Sequence, residues 1–270
     1  MSSIVPQAVE QPAKADGARE VRGSLEVTRA PQLSASLDSR ESESMWLGNK
    51  KGRMRKGSAS VCVMLVLFVS ALLAQRSATP GEIEQAQSEI PRLVEVLQLT
   101  PGMTVADVGA GFGAMTIVIS SWLGPTGRVY ATDIAAPQLT ALREAISRER
   151  LANVVVLDGA ERSTNLPDAC CDAIFMRDVY HHLTQPDEFD RSLSAALKPG
   201  GRLAVIDFEP EAGSQIPRGV RANRGGHGIP PVVVANEVSA QGLTHVKTIP
   251  VWPPDSNPAR FFLVLFRKQE

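Results

Sequence analysis

The sequence predicts an α/β fold, a mainly parallel sheet with helices on both faces. Three observations predict it. Short apolar, β-branched runs alternate with stretches of helical periodicity along residues 79–208. The first run, at 105–108, enters a glycine turn, Gly109-Ala110-Gly111-Phe112-Gly113, that opens into a helix-compatible stretch. The second run ends in Asp133, roughly 20 residues beyond the glycines, the offset used by nucleotide sites at a sheet edge. Such alternation requires crossover connections and therefore parallel pairing.

The elements follow in order. Residues 79–99 read as a helix, because Ile83, Ala86, Ile90, Leu93, Val94 and Leu97 recur at helical spacing. Thr100-Pro101-Gly102 breaks it before the strand at 105–108. A helix at 114–123 and the strand at 129–133 come next. A second amphipathic helix at 137–150 carries Leu139, Leu142 and Ile146 on one face. The third strand, 153–157, has Val-Val-Val at its centre and closes in Asp158-Gly159-Ala160. The fourth, 172–177, leads into Asp178-Val179-Tyr180-His181-His182-Leu183. A helix at 187–197 ends in a tight Pro199-Gly200-Gly201 turn before a fifth strand at 203–208. Residues 208–230 are rich in glycine and proline, hold Arg218, Arg221, Arg224 and His227, and are too long for a simple connection. A last helix occupies 232–241.

The glycine turn is where chemistry enters. Alternate glycines let the backbone turn tightly and let a ligand approach without a Cβ in the way. The helix that follows points its free N–H groups at whatever rests on the turn. The dinucleotide pattern G-x-G-x-x-G would place its third small residue at Ala114, and alanine is accepted there. An acid at the tip of the second strand suits two ribose hydroxyls, or else caps the following helix. Asp158 suits an exocyclic amine, or else belongs to a plain Asp-Gly turn. His181 and His182 are candidate proton acceptors near neutrality, and one of them serves equally well to brace the following helix. No Cys/His cluster has zinc spacing, so no metal is expected. Cys170 and Cys171 read as small residues flanking the fourth strand.

The segments 107–113, Asp133, Asp158-Gly159, 172–182 and 197–203 together resemble the class I S-adenosylmethionine-dependent methyltransferases of the type 11 small-molecule kind, akin to ubiquinone and menaquinone C-methyltransferases. The resemblance covers about residues 82–208 and continues more weakly beyond. It implies a Rossmann-like doubly wound sheet of seven strands, mostly parallel with an antiparallel last strand. It implies a closing antiparallel pair at 243–249 and 261–266, with Trp252-Pro253-Pro254 in their connection lining the acceptor pocket. It implies S-adenosylmethionine as cofactor. Gly109, Ala110, Gly111 and Gly113 would wrap its methionine part, and Asp107 would orient its ammonium. Asp133 would hold the ribose, Ile134 would pack on the adenine, and Asp158 with Gly159 would read the adenine amine. Arg177 would stand near the sulfonium and the acceptor. His181 and His182 would be the bases for a poorly ionised acceptor, with His227 a weaker one. Residues 208–230 would form part of a lid, or else a surface loop.

Composition bounds the partners. A net charge of -1 gives no global field for nucleic acid. Arg177-Asp178-Val179-Tyr180 stands where methylation of DNA amino groups needs Asn-Pro-Pro-Tyr or Asp-Pro-Pro-Tyr. No Pro-Cys pair supports cytosine C5 chemistry, and no paired glutamates mark protein arginine methylation. The expected partner is a small-molecule methyl acceptor. A nicotinamide-dependent oxidoreductase would share the first turn and Asp133, and a silent S-adenosylmethionine-binding protein would keep the loop without a working pocket. The oligomeric state is not legible.

Ahead of the domain, expected at 79–270, two segments differ in character. Residues 1–57 are polar and without periodicity, as in disordered chains, and Met45 and Met54 offer alternative starts. Residues 58–75 are read as a signal peptide or membrane anchor. Arg53, Arg55 and Lys56 precede an apolar run at 61–74, shorter than the roughly 20 residues that span a bilayer. Cleavage after Ala74 is disfavoured by Leu72. The expected location is membrane-anchored or exported, and cytoplasmic with a downstream start. Export sits uneasily with a cofactor made in the cytoplasm.

Overall fold

The computed structural model describes residues 77–254, 256, 258 and 260–270. The segments 1–57 and 58–75 lie outside the described residues. Among the described residues no helix is long and apolar enough to cross a membrane.

Thr79 starts α1 (Pro80–Leu97) with a reciprocal cap. Its hydroxyl accepts from the Glu82 N–H, and the Glu82 carboxylate accepts from the Thr79 N–H. The helix stops short of the expected Leu99, because Gln98 takes a left-handed conformation with φ 56°. Then come β1 (Thr104–Val108), α2 (Ala114–Leu123), β2 (Arg128–Asp133), α3 (Ala136–Arg148) and β3 (Val154–Asp158). The second half holds β4 (Cys171–Arg177), α4 (Pro186–Ala196), β5 (Leu197–Asp207), α5 (Pro231–Ala240), β6 (Leu243–Trp252) and β7 (Phe261–Lys268). Single turns of 3₁₀ helix lie at Tyr180–His182 and Ala222–Arg224.

Among the described residues, seven strands form one sheet in the order β3-β2-β1-β4-β5-β7-β6. β1 to β5 pair in parallel, and β7 runs antiparallel to both β5 and β6. The order reverses between β1 and β4, which are neighbours in space, with β2 and β3 intervening in the chain. At such a switch point the two chain paths diverge beyond the strand ends and leave a crevice.

Alternation along β4 sorts its side chains. Ile174 and Met176 pack with Phe189 and Leu193 of α4 and with Val234 and Val238 of α5. Ala173 and Phe175 pack with Ile90 and Leu93 of α1 and with Ile119 and Leu123 of α2. Both faces are thus covered, as parallel strands buried on two sides require.

Three sequence expectations are corrected. Pro199-Gly200-Gly201 does not separate helix from strand; it bulges within β5, where Cys171 pairs with Leu197 and Ala173 with Arg202. Trp252 is the last residue of β6, buried in the core, rather than part of a connection lining a pocket. The sulfurs of Cys170 and Cys171 are joined in a disulfide. Cys170 precedes β4, so its side chain escapes the strand alternation that would turn it from Cys171.

Candidate functional site

The Gly109–Gly113 loop leaves β1 at the switch point and is held from two sides. The N–H groups of Gly109 and Ala110 donate to the Thr132 carbonyl at 2.8 and 2.9 Å. Asp133 Oδ2 accepts from the Gly111 N–H, and Oδ1 from the Ala135 N–H, each at 2.9 Å. Two glycines are required for different reasons. A Cβ on Gly109 would fall 2.3 Å from Cγ2 of Val179, so packing forbids it. Gly111, at φ +55°, has nothing within 4 Å of its Cβ position. Its bareness keeps open space rather than a protein contact. Gly113 caps α2 and packs on Leu142.

That space divides into two cavities on either side of the loop. The smaller, about 260 Å³, is lined by Glu82, Glu89, Asp107, Gly111 and Arg177 among others. The larger, about 410 Å³, is lined by Asp133, Ile134, Gly159, Glu161, His182 and Phe189 among others. Gly109, Gly111, Phe112, Asp178 and Val179 belong to both walls. The pair forms one bent cleft.

The smaller cavity is charged at both signs. Asp107 is buried and accepts from the Thr116 hydroxyl at 2.6 Å. Burial, opposed by that hydrogen bond and aided by the negative charge of Asp133, pushes its carboxyl up to about 7. Arg177 donates through Nε to both oxygens of Glu89, at 2.9 and 3.1 Å, and its guanidinium carbon lies 4.4 Å from the Phe261 ring centre. Its Nη2 is buried without a hydrogen-bond partner. Glu89, wholly buried, also accepts from the Trp252 indole N–H at 2.8 Å.

The larger cavity is mostly apolar. Ile134 is 63 % exposed on its wall and offers an apolar surface there. Asp158 does not line this cavity; its carboxylate is paired with Arg143. The acid on that wall is Glu161, three residues further along.

The histidines part company. His181 is buried, with Nδ1 2.8 Å from Asp207 Oδ1, while its backbone N–H donates to Asp207 Oδ2 at 3.0 Å. His182 is exposed and lines the larger cavity. Loss of hydration, then the neighbouring His181 and His227 rings, lowers the basicity of His182. His227 comes from the 208–230 segment and stacks near both, 4.9 Å and 5.6 Å between ring centres. That segment is a fastened loop: Arg224 is buried and donates to Glu237 at 2.8 Å, and Arg221 pairs with Asp187.

The structure therefore gathers Asp107, Gly109, Ala110, Gly111, Asp133, Ile134, Gly159, Arg177 and His182 around one cleft. Asp158, Gly113 and His181 stand outside its lining. Sequence reasoning missed Glu89, Glu161, Asp178 and Val179. Glu89 had a signal: an acid within the apolar stripe of Ala86, Ile90, Leu93 and Leu97. Val179 had none, since its contact with Gly109 is tertiary.

Residues 106–205 match a family model described as a methyltransferase domain. Curated relatives include the ubiquinone/menaquinone biosynthesis C-methyltransferase UbiE of Pseudomonas aeruginosa (strain LESB58), 32% identical over 116 residues, covering 43% of this chain and 45% of the relative. The enzyme of the same name from Escherichia coli O1:K1 / APEC is 34% identical over 113 residues, covering 40% and 43%. The aligned region thus spans less than half the length of these relatives. A solved S-adenosylmethionine-dependent methyltransferase from Aquifex aeolicus superposes with a TM-score of 0.55 at 26% identity, over 71% of this chain and 99% of that one. Residues 106–205 thus match a methyltransferase domain, on a fold shared with a solved S-adenosylmethionine-dependent methyltransferase. The [4+2]-cyclase SpnF shares the fold, with a TM-score of 0.54 at 17% identity over 66% of this chain and 79% of that one.

Removing Glu89 from this domain strands the Arg177 guanidinium. Glu89→Ala lowers the unfolding free energy by about 3 kcal/mol in urea denaturation, the cost of breaking a buried pair. Glu89→Gln keeps the acceptor for Trp252 and loses less. A change below about 0.5 kcal/mol in Glu89→Ala, the range of surface substitutions, would show that Glu89 does not hold this corner.

Proposed function

We propose that this chain transfers the methyl group of S-adenosylmethionine to a small organic acceptor. The observation that carries the reading is the lining of the smaller cavity. It sets a buried carboxyl, Asp107, and an unpartnered guanidinium nitrogen, Arg177 Nη2, on one side of the bare Gly111 loop. An amino-acid moiety carries an ammonium and a carboxylate, which suit these two groups. The larger apolar cavity, with Ile134 exposed on its wall and Asp133 at its edge, suits an adenosine. A bent molecule joining those two halves fits the cleft.

Bound there, S-adenosylmethionine would supply a methyl carbon activated by its sulfonium; the acceptor's nucleophilic atom would bond to that carbon as the carbon–sulfur bond breaks, with S-adenosylhomocysteine as the leaving group. The protein's task is alignment, worth up to roughly 7–11 kcal/mol at the extreme. Gly111 lets the ligand approach the backbone. Asp133, already accepting from the Gly111 N–H, keeps the loop in place and retains lone pairs for hydroxyls. Glu161 takes the amine-reading role in this assignment, since it lines the larger cavity and Asp158 does not. An ionised acceptor needs no base from His181 or His182.

We also propose that the apolar run at 61–74, preceded by Arg53, Arg55 and Lys56, carries the domain to or across a membrane.

Calorimetric titration of the full chain with S-adenosylmethionine, S-adenosylhomocysteine and NADH tests the first reading. Micromolar binding of the adenosyl compounds is expected, reduced at least tenfold by Gly111→Arg and by Asp133→Ala. Binding of NADH alone would transfer the site to oxidoreductase chemistry. A second outcome concerns protons. Asp107, with its carboxyl near 7, is protonated in the free domain on the acid side. A ligand ammonium favours its carboxylate, so binding below that point releases a proton and affinity rises with pH until Asp107 is already ionised. Titrations in buffers of different ionisation enthalpy should show the release, and Asp107→Asn should abolish it. For the location, fractionation of cells expressing the full chain or a variant lacking 54–74 is decisive. The full chain is expected with the membrane or the exported fraction, and an unchanged cytosolic distribution would dismiss the anchor.

A further inference from the structure

Beside the cleft, three imidazoles meet that the methyl-transfer reading does not use together. His181 and His182 occupy the 3₁₀ turn after β4, and His227 arrives from the fastened loop before α5. Each offers a ring nitrogen, and the three nitrogens lie within 4.8 Å of one another. Ring centres of His181 and His182 are 3.9 Å apart.

The tautomer of His181 decides what this cluster can do. Asp207 Oδ1 sits 2.8 Å from Nδ1 and also accepts from the Phe208 N–H at 2.9 Å. An ionised Asp207 can only accept here, which assigns the ring proton to Nδ1; in that neutral tautomer Nε2 presents a bare lone pair. That nitrogen is buried and has no hydrogen-bond partner. His181 is itself only 1% exposed, so no solvent shell satisfies it. A carboxylate behind one ring nitrogen, with the other nitrogen left unpartnered and two further imidazoles packed against the ring, is the arrangement by which proteins orient a histidine toward a metal ion. Phe208 closes one side, edge-on to His181 at 4.8 Å and to His227 at 5.4 Å between ring centres. It supplies the apolar surround that strengthens such a bond.

We infer that His181, His182 and His227 form a binding site for a divalent transition-metal ion, with Asp207 as the residue that positions His181. An all-imidazole donor set suits zinc and its neighbours rather than magnesium or calcium. Ligands at about 2.0–2.1 Å from zinc lie roughly 3.4 Å from one another in a tetrahedron, so nitrogens within 4.8 Å need to close by at most about 1.4 Å. Three protein ligands leave a fourth position for water or an oxygen donor. His182 also lines the larger cavity, so the ion stands at its margin. The ion would also fasten the 208–230 loop, through His227, to the turn after β4. The spacing 181, 182, 227 matches no zinc motif, which is why the sequence alone gives no metal.

The test uses the untagged full chain stripped of metal with a chelator that is then removed. Cobalt(II) is titrated while visible absorption is followed, and zinc(II) is then added to displace it. The expected result is one cobalt per chain with ligand-field bands, reversed by one equivalent of zinc. His182→Ala and His227→Ala, both away from the buried core, are each expected to weaken binding at least tenfold. Asp207→Asn should weaken it by roughly 10–100-fold, as losses of such positioning partners do. Circular dichroism of each variant establishes that it is folded. Absence of stoichiometric binding in the wild type would overturn the inference, as would unchanged affinity in both His182→Ala and His227→Ala. S-adenosylhomocysteine titration of the metal-free chain, run alongside, reports on the methyl-donor site independently of the metal.

Discussion

The geometry of the cleft depends on one buried carboxylate. Glu89 comes from α1, Arg177 from the end of β4 and Trp252 from the end of β6; Glu89 and Trp252 are buried and Arg177 is partly so. Chain separation between them is large, so the contact ties α1 to the far part of the sheet. A buried ion pair of this kind adds little net stability, because desolvation consumes most of its Coulomb energy. Its worth is positional. Glu89 takes the Nε of Arg177, and the guanidinium lies over Phe261, which leaves Nη2 at the smaller cavity. With an apolar residue at 89, only the Phe261 ring would remain among these groups to hold the guanidinium.

The glycine loop obeys a complementary constraint. Its backbone is clamped by the Thr132 carbonyl and the Asp133 carboxylate, and Val179 fills the place where Gly109 lacks a Cβ. Loop, second strand and the residues after β4 are thereby one unit. The acid at 133 serves the fold before it serves any ligand. The same fold carries a cyclase in SpnF, so architecture does not define the reaction; the charged lining of the smaller cavity is what argues for an amino-acid-bearing ligand.

A second buried polar cluster lies under the loop before α5. The Tyr180 hydroxyl donates to Asp190 at 2.6 Å and approaches Glu237, which also receives Arg224. Burial pushes Asp190 up to about 7, and burial together with the adjacent acids raises Tyr180 well above its ordinary range. For a carboxyl raised from 3.8, the folded state holds a proton that the unfolded chain releases. Its contribution to stability is full below 3.8 and is lost as pH rises through about 7. The cluster fixes Tyr180 beside His181, and so joins the loop, α4, α5 and the histidine turn.

The order of strands and helices, the parallel sheet and the glycine turn were legible in the sequence, because each is written in local terms. Alternation, 3.6-residue periodicity and turn glycines act over a few residues, and the tip acid at 133 follows from strand length. Glu89 was half legible, as an acid within an apolar stripe, but nothing local named Arg177 and Trp252 as its partners. Asp158 reads locally as a ligand acid, yet it stands outside the lining of the larger cavity and faces Arg143 of α3. His227 reads as one residue of a long loop, yet it joins a histidine pair more than forty positions earlier. The sequence by itself determined the backbone path to the cleft. Tertiary structure alone decided which side chains face into it, because that depends on which distant groups satisfy one another once water is excluded.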